Sequence, residues 1–180
     1  ASMNDPVGKI ARALLLAVLA GGCNVAGGTQ QGYEPAQPVA FSHALHSGEY
    51  KIDCLYCHFG AERSRHAGVP PVQVCLNCHA QVKKDAPEVQ KLFAAMDGGT
   101  PIQWTRVHRL PDYAYLNHAS HVSAGLKCQQ CHGPVETMVR VQQVETMAMG
   151  WCLDCHRTTA AAPDNPKKLA PPTDCSACHR

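Results

Sequence analysis

The segment Phe41-Ser42-His43-Ala44-Leu45-His46-Ser47-Gly48-Glu49-Tyr50-Lys51-Ile52-Asp53-Cys54-Leu55-Tyr56-Cys57-His58 decides how the rest of the chain is read. It ends in C-x-x-C-H. That pentapeptide recurs at Cys75-Leu76-Asn77-Cys78-His79, Cys128-Gln129-Gln130-Cys131-His132, Cys152-Leu153-Asp154-Cys155-His156 and Cys175-Ser176-Ala177-Cys178-His179. Ten of the 11 cysteines are used, and only Cys23 is left over. C-x-x-C-H is the attachment signature of c-type haem. The two thiols form thioethers with the vinyl groups, and the adjacent histidine is held beneath the ring to bind iron. The motif count implies five haem c groups with their irons.

Cysteine pairs also bind zinc, and the 17 residues between Cys57 and Cys75 and the 20 between Cys131 and Cys152 fall in or near the range for a structural zinc site. Five pairs cannot all couple two by two, however, and a zinc ribbon has no use for a histidine after every second cysteine. A disulfide framework is disfavoured on the same ground of regularity.

Six histidines stand outside the motifs: His43, His46, His66, His108, His118 and His121. His43 and His46 are three apart, and His118 and His121 repeat the step in Leu116-Asn117-His118-Ala119-Ser120-His121. On a short helix both imidazoles of a doublet project from one face. Neighbours on one face cannot easily occupy opposite sides of one iron, so each doublet is read as serving two haems. The chain is an internal repeat. Each unit reads H-x-x-H, C-x-x-C-H, C-x-x-C-H, with a fifth motif appended 23 residues after Cys152.

His43, His46, His118 and His121 are thus the expected distal ligands, beside the motif ligands His58, His79, His132, His156 and His179. His108, isolated in Trp104-Thr105-Arg106-Val107-His108-Arg109-Leu110-Pro111, is a further candidate. Methionine is the other common sixth ligand of c-type haem, which leaves Met149, just before Cys152, as the alternative. His66 lies in the polar stretch Glu62-Arg63-Ser64-Arg65 and reads as a solvated loop residue. With enough ligands to close every iron, the chain reads as an electron wire with no acid, base or nucleophile constellation.

Composition agrees. In 180 residues there are only 3 Phe, 2 Trp and 5 Tyr, too little aromatic bulk for an ordinary core, so porphyrins are expected to fill the middle. The charge of +2 is too weak a bias for a nucleic-acid binder, and no phosphate-cradling glycine loop is present. Five haems with two propionates each take the formal balance from +2 to about −8.

Near the start, Lys9 and Arg12 precede the apolar run Ala13-Leu14-Leu15-Leu16-Ala17-Val18-Leu19-Ala20, a pattern of export. Residues 1–26 are read as a signal or membrane anchor. Cys23, preceded by small residues, offers lipid attachment as the alternative to an uncleaved helix. Residues 27–40, with Gly27, Gly28, Gly32, Pro35 and Pro38, read as an extended linker with little structure. Residues 41–180 form the haem domain, with repeat units of about 41–100 and 101–180. Asp85-Ala86-Pro87-Glu88 starts the one helix the periodicity specifies, with a capping box and Val89, Leu92, Phe93 and Met96 on one face. Gly98 and Gly99 end it. Its apolar stripe is expected to pack against haem edges. Elsewhere the fold class is mostly irregular with short α-helices and little or no β-sheet.

The H-x-x-H and C-x-x-C-H layout resembles class III multihaem cytochromes. Gly32-Tyr33-Glu34-Pro35-Ala36-Gln37-Pro38-Val39 leading into Phe41-Ser42-His43, Trp104 to Tyr113, and Met149-Gly150-Trp151-Cys152-Leu153-Asp154-Cys155-His156-Arg157 are similar to the pentahaem cytochrome subunit of alternative complex III, a bacterial quinol:electron acceptor oxidoreductase. The likeness covers about residues 31–180. It implies a multihaem cytochrome c fold on an N-terminal membrane helix, with the haem domain on the periplasmic side of the cell inner membrane. The implied partners are an iron-sulfur subunit, a monohaem cytochrome c subunit and integral membrane quinol-binding subunits, where the quinol chemistry is expected. The alternative is a multihaem quinol dehydrogenase or reductase with one open catalytic haem.

Overall fold

The structure, a computed structural model, describes residues 30–162, 165 and 168–179. The expected anchor over 1–26 lies outside the described residues, as do positions 27–29 of the expected linker. Seven α-helices occur among the described residues: α1 (Cys54–Cys57), α2 (Val72–His79), α3 (Pro87–Asp97), α4 (His118–Ser123), α5 (Gln129–His132), α6 (Met149–Ala161) and α7 (Cys175–Cys178). A π-helical turn over Ala44–Glu49 and 3₁₀ turns over Phe59–Glu62 and Val135–Thr137 complete the set. The described extended backbone pairs only at one isolated bridge, Ala114 with His179. No helix among the described residues is long and apolar enough to cross a membrane.

Every C-x-x-C pair sits on or at the start of a helical turn. Two of these short helices are held by side-chain caps, which supply a partner for an N-terminal N–H that the helix cannot satisfy itself. The Asp53 carboxylate accepts from the Leu55 N–H at 2.7 Å, and that of Asp174 from the Ala177 N–H at 3.1 Å.

The apolar core is thin. Buried hydrophobic residues among those described are Val39, Ala61, Val89, Leu92 and Val107. Val39, Val89 and Leu92 form one cluster, walled by Val72, Leu76, Phe93, Ile102 and Trp104, with Cys75 at its rim. Helix α3 supplies Val89 and Leu92 from its buried face, as its periodicity predicts, and it ends at Gly98, followed by Gly99 with φ +62°. Its buried stripe packs on aliphatic and indole groups and meets a haem motif at Cys75 and Leu76. One expectation about α3 needs correction: the capping box is absent, and Ala86 is the N-cap without a side-chain cap. Glu88, the box's acidic member, instead accepts from the Ala40 N–H at 2.7 Å and pairs with Lys91 at 2.8 Å. Leu92 is 5% exposed, and Leu92→Ala is expected to cost about 3 kcal/mol, as for other buried leucines truncated in a small core. Chemical denaturation followed by far-UV circular dichroism would measure it.

The longest helix, α6, was not specified by periodicity, because none of its residues is buried and it has no apolar stripe. The expected loose linker is likewise tied down over its described part. Gly32 and Tyr33 exchange backbone hydrogen bonds with Gln143 at 2.8 and 3.0 Å. The Gln37 side chain bonds both the N–H and the C=O of Thr105, each at 2.9 Å. Residues 30–40 therefore form a strap across both repeats, closed by burial of Val39.

The two repeats are interlocked. The Ala44 N–H, in the first doublet, donates to Met138 C=O at 2.9 Å, and the Ala119 N–H, in the second, donates to Ser64 C=O at 3.1 Å. Ala44 and Ala119 each follow the first histidine of a doublet, while Ser64 and Met138 each stand six residues after a motif histidine. The same exchange brings the π turn against Val135–Thr137 and α4 against Phe59–Glu62. Each repeat thus braces the backbone of the other's doublet, in a reciprocal, two-fold manner.

Candidate haem-binding sites

On a helical turn, residues three apart lie on one side, so the two thiols of each motif face the same way. The histidine that follows is the last helical residue at His79 and His132, lies inside the helix at His156, and is the C-cap at His58 and His179. Opposite four of the five motif histidines stands an imidazole from a doublet. The ring centres are 6.4 Å apart for His43 and His58, 6.0 Å for His46 and His79, 6.3 Å for His118 and His132, and 6.2 Å for His121 and His156. Two imidazoles binding one metal ion from opposite sides, each nitrogen about 2 Å from it, have centres roughly 6 Å apart. The gap is too wide for stacking and suits one intervening ion. Rotation of a ring about the line joining the two nitrogens leaves that distance unchanged, so interplanar angles from 7° to 59° fit equally.

The outer nitrogens support the same fit. Nδ1 of His58 lies 2.7 Å from Gly68 C=O, that of His79 2.9 Å from Val82 C=O, and that of His156 2.6 Å from Pro172 C=O. Among the doublets, Nδ1 of His46 meets Ser42 C=O at 2.9 Å, that of His118 meets Arg65 C=O at 2.7 Å, and that of His121 meets Asn117 C=O at 2.8 Å. A carbonyl only accepts, so each Nδ1 carries the proton and donates. Nε2 is left with its lone pair, the tautomer a metal ligand needs. Burial keeps two of the rings neutral as well. His43 is pushed down to about 4 by burial and by His58 and His46, and His132 to about 3 by burial and by His108, His118 and His58. Neutral imidazole is the ligating form.

His179 differs. Its Nδ1 donates to Tyr113 C=O at 3.2 Å, but its ring neighbour is the Tyr113 ring, at 5.8 Å and 33°. His108 does not have the spacing of the four pairs. It stands edge-on to His132 at 4.4 Å, on a ring that already faces His118, with its own Nε2 buried and unpartnered. Met149 is 65% exposed at the start of α6. His66 is exposed.

The thiols also mark which motifs adjoin. Burial raises the Cys57 thiol, helped by neighbouring Cys75 and Cys54. Cys128 is raised by burial and then by neighbouring Cys54. Cys131 is raised by burial and by Cys155 and Cys152, and Cys152 by burial and then Cys178. Sequence reasoning missed the contact of Cys54 with Cys128, because 73 residues separate them and only the interlock brings them together. The described residues contain no cluster of three or more His, Cys, Asp or Glu side chains that could hold a metal ion, so a four-ligand zinc site is not formed there.

Repeated C-x-x-C-H turns, each motif thiol pair beside its imidazole and most of those imidazoles opposed by another, form an arrangement with the donor set of c-type haem sites. Residues 114–180, which hold the second doublet and the last three motifs, match the family described as cytochrome c7 and related cytochrome c. Over 97 residues the chain is 33% identical to the menaquinone reductase multiheme cytochrome c subunit of Nitratidesulfovibrio vulgaris. That match covers 53% of this chain and 45% of the relative, so the chain spans a little under half the length of the protein it resembles.

Proposed function

We propose that this chain binds five haem c groups and relays electrons, as the pentahaem subunit of a membrane quinol:electron acceptor oxidoreductase of the alternative complex III type. The observation that carries the relay is the set of four imidazole pairs at 6.0 to 6.4 Å, which closes four irons on both sides. A six-coordinate haem supplies one-electron transfer without binding a substrate. The residues that would hold the groups are Cys54 and Cys57, Cys75 and Cys78, Cys128 and Cys131, Cys152 and Cys155, and Cys175 and Cys178, with the paired histidines and His179 as ligands. The chain's part is to orient six of the paired rings through their Nδ1 bonds and to keep His43 and His132 neutral by burial. The quinol chemistry is assigned to partner subunits, in keeping with the relative's name. Residues 1–26 anchor the chain to the membrane, with the haem domain on the periplasmic side.

A second reading, a multihaem quinol dehydrogenase or reductase with one open catalytic haem, is favoured by one observation: His179 faces Tyr113 and no imidazole. Haem quantitation and electron paramagnetic resonance of the ferric holoprotein test both. The expected result is five haems per chain, no stoichiometric zinc and a spectrum dominated by low-spin signals. One high-spin haem in five would move the assignment to the second reading, and fewer than five haems would end the first. His108→Leu and Met149→Leu are expected to leave the low-spin count unchanged. A new high-spin signal in either variant would identify that residue as a ligand.

A further inference from the structure

The proposed relay requires an order of sites in space, and the order along the chain is not the one the fold builds. The geometry points to a linear arrangement second, first, third, fourth, fifth, with Cys75–His79 and Cys175–His179 at its two ends and the first and third motifs at its centre. This inference rests on the relay reading and adds to it where electrons enter and leave.

Each junction has its own observation. The first and second sites adjoin because their distal histidines, His43 and His46, are one step apart on a single turn and face His58 and His79. The Asn77 amide, in the second motif, also donates to the Tyr56 hydroxyl in the first at 3.1 Å. The third and fourth adjoin for the same reason, through His118 and His121 facing His132 and His156.

The first and third meet where the repeats cross. The Ala44 N–H to Met138 C=O and Ala119 N–H to Ser64 C=O bonds join the segments that follow these two motifs to the opposite doublets, and the leading thiols Cys54 and Cys128 are close enough there to act on one another electrostatically. The fifth motif lies beyond the fourth. His156 Nδ1 donates at 2.6 Å to the C=O of Pro172, three residues before Cys175, Cys178 is close enough to Cys152 to raise its thiol, and the fifth motif is fastened by the Tyr115 N–H to Cys178 C=O bond at 2.7 Å. A relay in chain order would instead join the second motif to the third. The interlock places the first motif between them. Partners that deliver or collect electrons therefore engage the two end sites, one beside the α2 and α3 core and one beside the exposed Tyr113, and not the crossing.

The test uses the full holoprotein and resolves each haem's midpoint potential by redox-poised nuclear magnetic resonance of the haem methyl signals. Met in place of His raises the potential of the site it serves. A site that holds its electron earlier acts through Coulomb's law most strongly on its nearest neighbours. In His43→Met the second and third midpoints are expected to shift while the fourth and fifth stay in place. In His121→Met the third and fifth shift while the first and second stay. A His43→Met variant that shifts the second site and leaves the third unchanged would overturn the order in favour of chain order. A shift of the second site in His121→Met would overturn it too. If His43→Met does not fold, His118→Met carries the same decision: the first and fourth sites shift under the inferred order, and the second and fourth under chain order. Haem quantitation separates the two levels, because fewer than five haems removes the relay and the order together, whereas five haems with other neighbours removes only the order.

Discussion

Replacing His118 by alanine leaves the third site with His132 alone and converts that site's low-spin ferric signal into a high-spin one. The argument for so complete a change is local. His118 is held twice by the same carbonyl, since its Nδ1 and its backbone N–H both donate to Arg65 C=O, at 2.7 and 3.4 Å. The substitution removes the ring and one of those bonds while Ala119 stays fastened to Ser64. The neighbouring histidine that might replace it, His108, lies edge-on at 4.4 Å to His132, without the separation that one intervening ion needs. Added imidazole, small enough to enter the space the ring vacates, is expected to restore the low-spin signal. A His118→Ala protein that keeps its full low-spin count would show that another residue faces His132.

The second large effect is expected from a residue with no part in ligation. Gly48 belongs to the π turn that carries His46 and follows His43, and a Cβ there would overlap the Glu136 carbonyl oxygen of the other repeat. The obstacle is backbone on both sides, and no flexible side chain is available to give way. Gly48→Ala is therefore expected to cost about 2 to 3 kcal/mol, in the range of overpacked sites. The loss should be visible as a lower thermal midpoint. Because the crossing also seats the first doublet, a fraction of the first and second sites should become high-spin at temperatures where the wild type is still wholly low-spin. A Gly99→Ala control, at a glycine with open space around its Cβ but φ +62°, carries backbone strain alone. It should lower stability without changing the spin state.

How much was legible beforehand varies with the range of the interaction concerned. The helix at Pro87–Asp97 followed from the spacing of Val89 and Leu92, because both lie on one buried face of a single element. Its start at Pro87 followed as well, but the capping box does not form, since Glu88 is recruited by Ala40, 48 residues away, and no local pattern records that bond. Helix α6 carries no periodicity to detect, having no buried residue. The strap over 30–40 looked like a linker because its composition is glycine- and proline-rich; it is ordered by Gln37 on Thr105 and by the exchange with Gln143.

The C-x-x-C-H motifs were legible in the sequence alone, for a physical reason. Two thiols and an imidazole within five consecutive residues share one helical turn whatever surrounds them, so the motif is complete before any tertiary contact forms. The doublets His43/His46 and His118/His121 were legible on the same ground, each lying within one turn. Which motif each doublet faces was decided only by the tertiary structure. The partners in the crossing, Ala44 with Met138 and Ala119 with Ser64, are 94 and 55 residues apart. No spacing rule reaches that far. The repeat announces that two similar units exist, and only their packing shows that each braces the other's doublet while that doublet faces the motifs of its own repeat.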